Sequence, residues 1–87
     1  MEKTEIRIKR LKIRSWRRGT KEMDLFFGRF ADRFLMDMDS IDMDAFEALL
    51  HEEDPIITAW VTGHVETPER HKSLVNRMRV YAESLNF

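Results

Sequence analysis

Leu74, Val75, Met78, Tyr81, Ala82 and Leu85 recur at steps of three and four residues, and no other feature restricts the folding of this chain more. Such spacing lines one side of an α-helix, whereas a half-buried strand would need strict alternation. A helix with one apolar stripe needs partners with stripes of their own. The rest of the sequence supplies them. Leu25, Phe26, Phe30 and Phe34, with Met23 and Phe27 at the margin, make a broad apolar face suited to a helix in the middle of a small core. Met43, Phe46, Leu49 and Leu50 form another stripe, and Ile56, Ile57, Trp60 and Val61 a shorter one. Near the N-terminus Ile6, Ile13 and Trp16 share a face, with Ile8 and Leu11 toward its edge and Lys9, Arg10, Lys12 and Arg14 between them. Its β-branched residues weaken the helical preference there without changing the period.

Start and stop signals separate these stripes. Asp39-Ser40-Ile41-Asp42 reads as an N-cap with a shortened capping box. Asp54-Pro55 and Thr67-Pro68-Glu69 each read as a cap followed by proline at the first helical position. Gly63 is expected to end the short fourth helix, and Gly19 to punctuate the junction between the first and second. With only three glycines and two prolines in 87 residues, little else interrupts the helices. The expected architecture is all-α, a five-helix bundle forming a single domain over residues 1–87. A chain of this length buries about 60–65% of its unfolded surface, which allows one modest core and little enclosed cavity. Trp60 is expected in that core.

Several function classes drop out on chemistry. The absence of cysteine removes disulfides, thiolate zinc sites and thiol nucleophiles. His51, His64 and His71 share no metal-ligand spacing on one helix face and are expected at the surface, so no metal site is assigned. Asp37, Asp39, Asp42 and Asp44 resemble a calcium loop only superficially. Counted from Asp37, the sixth and twelfth positions hold Asp42 and Ala48 where such a loop needs glycine and glutamate. A solvated helix start is the better reading. No Ser/His/Asp set or paired carboxylates are recognisable, so no catalytic residue is assigned. No apolar run approaches the ~20 residues of a membrane span. The segment Met1-Glu2-Lys3-Thr4-Glu5-Ile6-Arg7 lacks the apolar core of a signal peptide. The expectation is a cytoplasmic protein without direct membrane insertion.

The formal net charge of −1 conceals opposed blocks. Residues 1–21 carry nine Lys/Arg against two Asp/Glu, and residues 22–54 carry two against eleven. The basic block could bind the acidic one within the bundle, steer a partner, or both. Nucleic-acid binding through the basic first helix is a further alternative, disfavoured because such modules usually carry a basic net charge. A regulatory or antitoxin-like helical binding protein is another.

The two blocks meet at Trp16-Arg17-Arg18-Gly19-Thr20-Lys21-Glu22-Met23-Asp24. Glycine there permits a positive φ and close approach by another molecule. Arg18 and Glu22 flank it with a five-donor fork and a carboxylate acceptor. Each residue also has a purely structural reading. Arg18 could be a last-turn cation, Gly19 a C-cap or N-cap, and Glu22 an acid at the third position of the second helix. On the residues alone the structural readings lead, because every helix junction needs such groups.

The wider pattern changes that balance. Arg17, Arg18, Gly19, Glu22 and Asp24, then Phe46-Glu47-Ala48-Leu49-Leu50, then Asp54, Trp60 and Gly63 follow in an order that resembles the succinate dehydrogenase FAD assembly factors. The similarity covers roughly residues 10–63. It implies a five-helix protein that binds the flavoprotein subunit of succinate dehydrogenase, and in bacteria that of the related fumarate reductase. It also implies a role in attaching the 8α-methyl carbon of FAD to a histidine of that subunit. The bond-forming chemistry would belong to the flavin and the client, so the chain is expected not to be an enzyme and to hold no cofactor stably. Whether it binds FAD itself stays open. Arg17, Arg18, Gly19, Glu22 and Asp24 are the client-binding residues that the resemblance implies.

Overall fold

The computed structural model describes residues 2–85, and among them are five α-helices and no strand. These are α1 (Thr4–Ser15), α2 (Lys21–Phe34), α3 (Ser40–Leu50), α4 (Asp54–Val61) and α5 (Glu69–Ser84), with a 3-10 turn, Leu35–Asp37, after α2. The molecule measures 38 × 26 × 23 Å, so it is about two helix diameters thick. As its broad apolar face requires, α2 is central and packs against both α1 and α5. Phe27, Phe30 and Phe46 are fully buried together with Leu11, Leu35, Leu49, Ile57 and Met78. The ring of Phe46 on α3 meets Phe27 edge-on at 6.0 Å and Phe30 in a stacked arrangement at 6.1 Å. Tyr81 on α5 closes the cluster against Phe34 at 5.1 Å. Trp60 is buried as expected. No described helix is long and apolar enough to cross a membrane.

The boundaries follow the local chemistry with three adjustments. Asp39 caps α3 through Oδ1, which accepts from the Asp42 amide at 2.8 Å. Gly63 follows the end of α4 with φ of +81°, as a glycine terminator should. Gly19 turns out to be neither cap. Thr20 caps α2 by accepting from the Met23 amide at 3.2 Å, which puts Glu22 at the second helical position. Asp54 is the first residue of α4 and not its cap, because its carboxylate is engaged elsewhere. Pro68, not Thr67, precedes the first residue of α5.

Two assignments of faces are corrected. On α1 the buried residues are Leu11 and Ser15, with Ile8 packed partly against the core, while Ile6 and Ile13 are 56% and 48% exposed. The helix is rotated by its neighbours. Arg7 and Arg10 lean across to Glu47 on α3, with bonds of 2.8–3.2 Å, and hold that flank of α1 against α3 while Leu11 turns into the core. Small Ser15 lets the helix approach closely, and its hydroxyl donates to the Leu11 carbonyl at 2.7 Å. His71 is the second correction, since it is only 3% exposed. It precedes Leu74 and Val75 by three and four residues, so the period of α5 carries it inward. Its Nε2 lies 2.7 Å from Glu52, and its ring 5.5 Å from Trp60. That contact, followed by Arg70, holds the Glu52 carboxyl below the usual range. His51 and His64 are exposed, as expected.

Candidate functional site

The junction between α1 and α2 is a short loop whose shape is set from below. After Ser15 the chain leaves α1 through Trp16, the last residue bonded back to the helix in α-helical fashion. Asp24, one turn into α2, reaches back so that one carboxylate oxygen accepts from the amides of Arg18 at 2.6 Å and Gly19 at 3.4 Å. Gly19 has φ of +124°, a conformation costly for any residue with a Cβ. A Cβ built there would meet no atom within 4 Å. The glycine is therefore demanded by backbone conformation, and the space in front of it is open.

Arg18 does not present its fork to solvent. Its side chain is 9% exposed and runs under the loop to the turn between α3 and α4. There Nε donates to Asp54 Oδ1 at 2.8 Å, Nη1 to the Leu50 carbonyl at 2.5 Å and Nη2 to the Glu52 carbonyl at 2.7 Å. Nη2 also lies 2.7 Å from Asp54, and the guanidinium sits 4.6 Å from the centre of the Phe27 ring. Leu50 is the last residue of α3, so the cation satisfies an orphan carbonyl at a helix C-terminus. Sequence offered Arg18 as a last-turn cation of its own helix. It serves that role for a helix more than thirty residues away.

The five expected client-binding residues thus divide. Arg17, Gly19 and Glu22 are exposed, while Arg18 points inward and Asp24 is half-buried beneath the loop. Arg17, Gly19, Thr20, Lys21, Asp24, Leu25 and Trp16 line a shallow hollow of about 570 Å³; Glu22 is exposed outside it. The hollow combines an indole, two cations and a bare stretch of backbone. Such a surface can hold another protein's main chain and acidic side chains.

One wall has a support that the sequence reading passed over. The Trp16 indole lies on Gly28 of α2, where a Cβ would fall among the ring atoms, including Cε3 at 2.7 Å. Trp16 Nε1 donates to the Asp32 carboxylate at 3.2–3.3 Å. A glycine inside an otherwise apolar helix usually marks such a close approach, and this was the available signal. The Asp54 partner of Arg18 had no local signal, since its proline neighbour made it look like a cap.

The basic face of α1 is partly neutralised within the molecule. Arg7 pairs with Asp44 and Glu47, and Arg10 with Glu2 and Glu47. Hydrogen bonds from Arg10, then Arg7, outweigh burial and hold the Glu47 carboxyl at about 2 against an ordinary 4.5. The same pairing raises the Arg10 guanidinium, most strongly through Glu2.

Comparison with known proteins adds a family to this geometry. The family model described as flavinator of succinate dehydrogenase matches residues 9–82. A mitochondrial succinate dehydrogenase assembly factor 2 from Candida glabrata is 35% identical over 80 residues, covering 86% of this chain and 52% of that protein. An FAD assembly factor SdhE from Shewanella oneidensis is 40% identical over 53 residues, covering 61% of this chain and 65% of its own. Another, from Acetobacter pasteurianus, is 32% identical over 74 residues and is covered to 68%. The chain spans about half the length of the Candida glabrata relative.

Proposed function

The chain belongs to the flavinator of succinate dehydrogenase family, and from that membership we propose that it binds the flavoprotein subunit of succinate dehydrogenase and promotes covalent attachment of FAD. The flavoprotein subunit of fumarate reductase is a second client in this proposal, and the cytoplasm its place of action. The factor is no enzyme here, because bond formation falls to the flavin and the client. It works by binding the attachment-competent conformation more tightly than the others, which raises that conformation's share. FAD is then the client's cofactor, with no stable site on the factor.

One observation carries the reading: an open glycine backbone stands on a loop made rigid by the buried Arg18 and Asp24 bonds. A rigid recognition loop loses little entropy on binding. Arg17, Gly19 and Glu22 are its contact residues, while Arg18 and Asp24 act by holding it in shape. Gly19→Arg tests this. A side chain there projects into open space, so the fold should survive with a penalty of about 1–2 kcal/mol for the positive φ. The client's approach should be blocked. In cells carrying the variant as the only copy, in-gel fluorescence of the denatured client subunit should show covalent flavin reduced to the level of cells lacking the factor. Full flavin with a folded Gly19→Arg would remove this loop as the working surface.

A further inference from the structure

We propose that the client-binding surface continues from the Gly19 loop along the outer face of α1, with Trp16 as its anchor and Ile13 and Ile6 beyond it. Its occupant is an apolar ridge flanked by carboxylates on the flavoprotein subunit. The proposal rests on the function argued above and extends its interface.

Trp16 is held in one orientation by Gly28 beneath its ring and Asp32 at its Nε1, yet it remains 36% exposed. A half-exposed tryptophan that is already immobilised has the character of an interface anchor, since little side-chain freedom remains to be lost. The same indole borders the hollow beside Gly19. Ile13 and Ile6, three and ten residues earlier, fall on the same side of the helix. Together with Lys9, Arg10 and Arg14 they line an apolar hollow of about 300 Å³. Both isoleucines are half-exposed without serving the core, because α1 buries Leu11 and Ser15 on its opposite side.

Charge identifies the occupant. Lys9, Arg14 and Arg17 have no ion-pair partner among the described residues, whereas Arg7 and Arg10 are taken by Asp44, Glu47 and Glu2. An apolar strip flanked by unneutralised cations complements an apolar ridge with an acidic rim. A second exposed apolar pair, Met36 and Ile41, is neighboured in sequence by Asp37, Asp39 and Asp42 and would repel that ridge. It supplies a matched control.

The test is calorimetric titration of the folded chain with purified apo flavoprotein subunit of succinate dehydrogenase. Ile6→Glu/Ile13→Glu should bind at least about tenfold more weakly, while Met36→Glu/Ile41→Glu stays within about twofold of the parent. Circular dichroism should show both variants folded, because all four side chains lie outside the core and are about half exposed or more. Lys9→Glu, at an exposed position on the strip and outside the loop, should weaken binding most at low salt. A folded strip variant that binds like the parent, or a control that weakens equally, overturns the proposal. Gly19→Arg in the same titration separates the two claims. If it alone loses binding, the strip is wrong and the loop stands; if the parent itself does not bind, the functional reading falls and the strip with it.

Discussion

Arg18→Ala should destabilise this protein far more than a surface arginine could. The substitution removes a guanidinium that joins the α1–α2 loop to Asp54, the Leu50 carbonyl and the Glu52 carbonyl. It also takes the cation off the Phe27 ring. Each charge-assisted hydrogen bond contributes about 1.5–3 kcal/mol, but the bonds share one side chain and do not add. Breaking a buried pair from one side costs about 3–5 kcal/mol. Asp54 retains 18% exposure, so water can reach it and relieve part of the loss. The expected net effect is about 3 kcal/mol, at the lower end of that range. For a domain of this size about 1 kcal/mol shifts Tm by 4–8 °C, so the midpoint should fall by roughly 12–24 °C. Arg17→Ala, one residue away but exposed, should stay within about 0.5 kcal/mol of the parent.

Thermal unfolding followed by circular dichroism measures both variants, and a double-mutant cycle with Asp54→Ala isolates the pair. The coupling should reach about 1–3 kcal/mol. If Arg18→Ala and Arg17→Ala melt together near the parent midpoint, Arg18 is not a clamp. Its fork would then be free for a client, as the resemblance first implied.

Gly28→Ala ought to be stabilising on helix propensity by about 1 kcal/mol, but the new Cβ falls within the Trp16 ring and should instead cost about 1–3 kcal/mol. A raised Tm would show that the indole moves aside freely. Trp60→Ala should cost about 3–5 kcal/mol as a buried aromatic truncation, read by the same melting experiment. An unchanged midpoint would move Trp60 out of the core. Glu47 titrates at about 2 in the fold against an ordinary 4.5. Its stabilisation is therefore complete above pH about 4.5 and is lost as pH falls toward about 2. Arg10 is more than a third exposed, so screening leaves about 1 kcal/mol of this effect. Glu47→Gln should lack that part of the acid dependence in urea melts between about pH 5 and pH 3, and an unchanged profile would place the dependence on other carboxylates.

Helix number and order were legible because α2, α3, α4 and α5 each show an apolar stripe between recognisable stops. Phe30, Phe46, Trp60 and Met78 lie in the core as their spacing requires. The face of α1 was not legible. Its isoleucines look like core residues in isolation, and tertiary contacts fix its rotation: Leu11 and Ser15 in the core, Arg7 and Arg10 on Glu47, and Trp16 on Gly28. The burial of His71 is legible in the period it shares with Leu74 and Val75, although a polar ring alone gives no sign of it. The loop shows the same division. Gly19 announced its backbone conformation, whereas the inward turn of Arg18 depends on Asp54, distant in sequence and adjacent in space. Local patterns report local constraints, and this clamp is a tertiary one.

Reconstitution with purified components tests the proposed function most directly. Apo flavoprotein subunit of succinate dehydrogenase is incubated with FAD, with and without this chain, then denatured and read for covalently bound flavin fluorescence on a gel. The account predicts that attachment accelerates when the chain is present, that the gain saturates once the two proteins are equimolar, and that Gly19→Arg abolishes it. Attachment at the same rate with and without the folded chain would contradict the account.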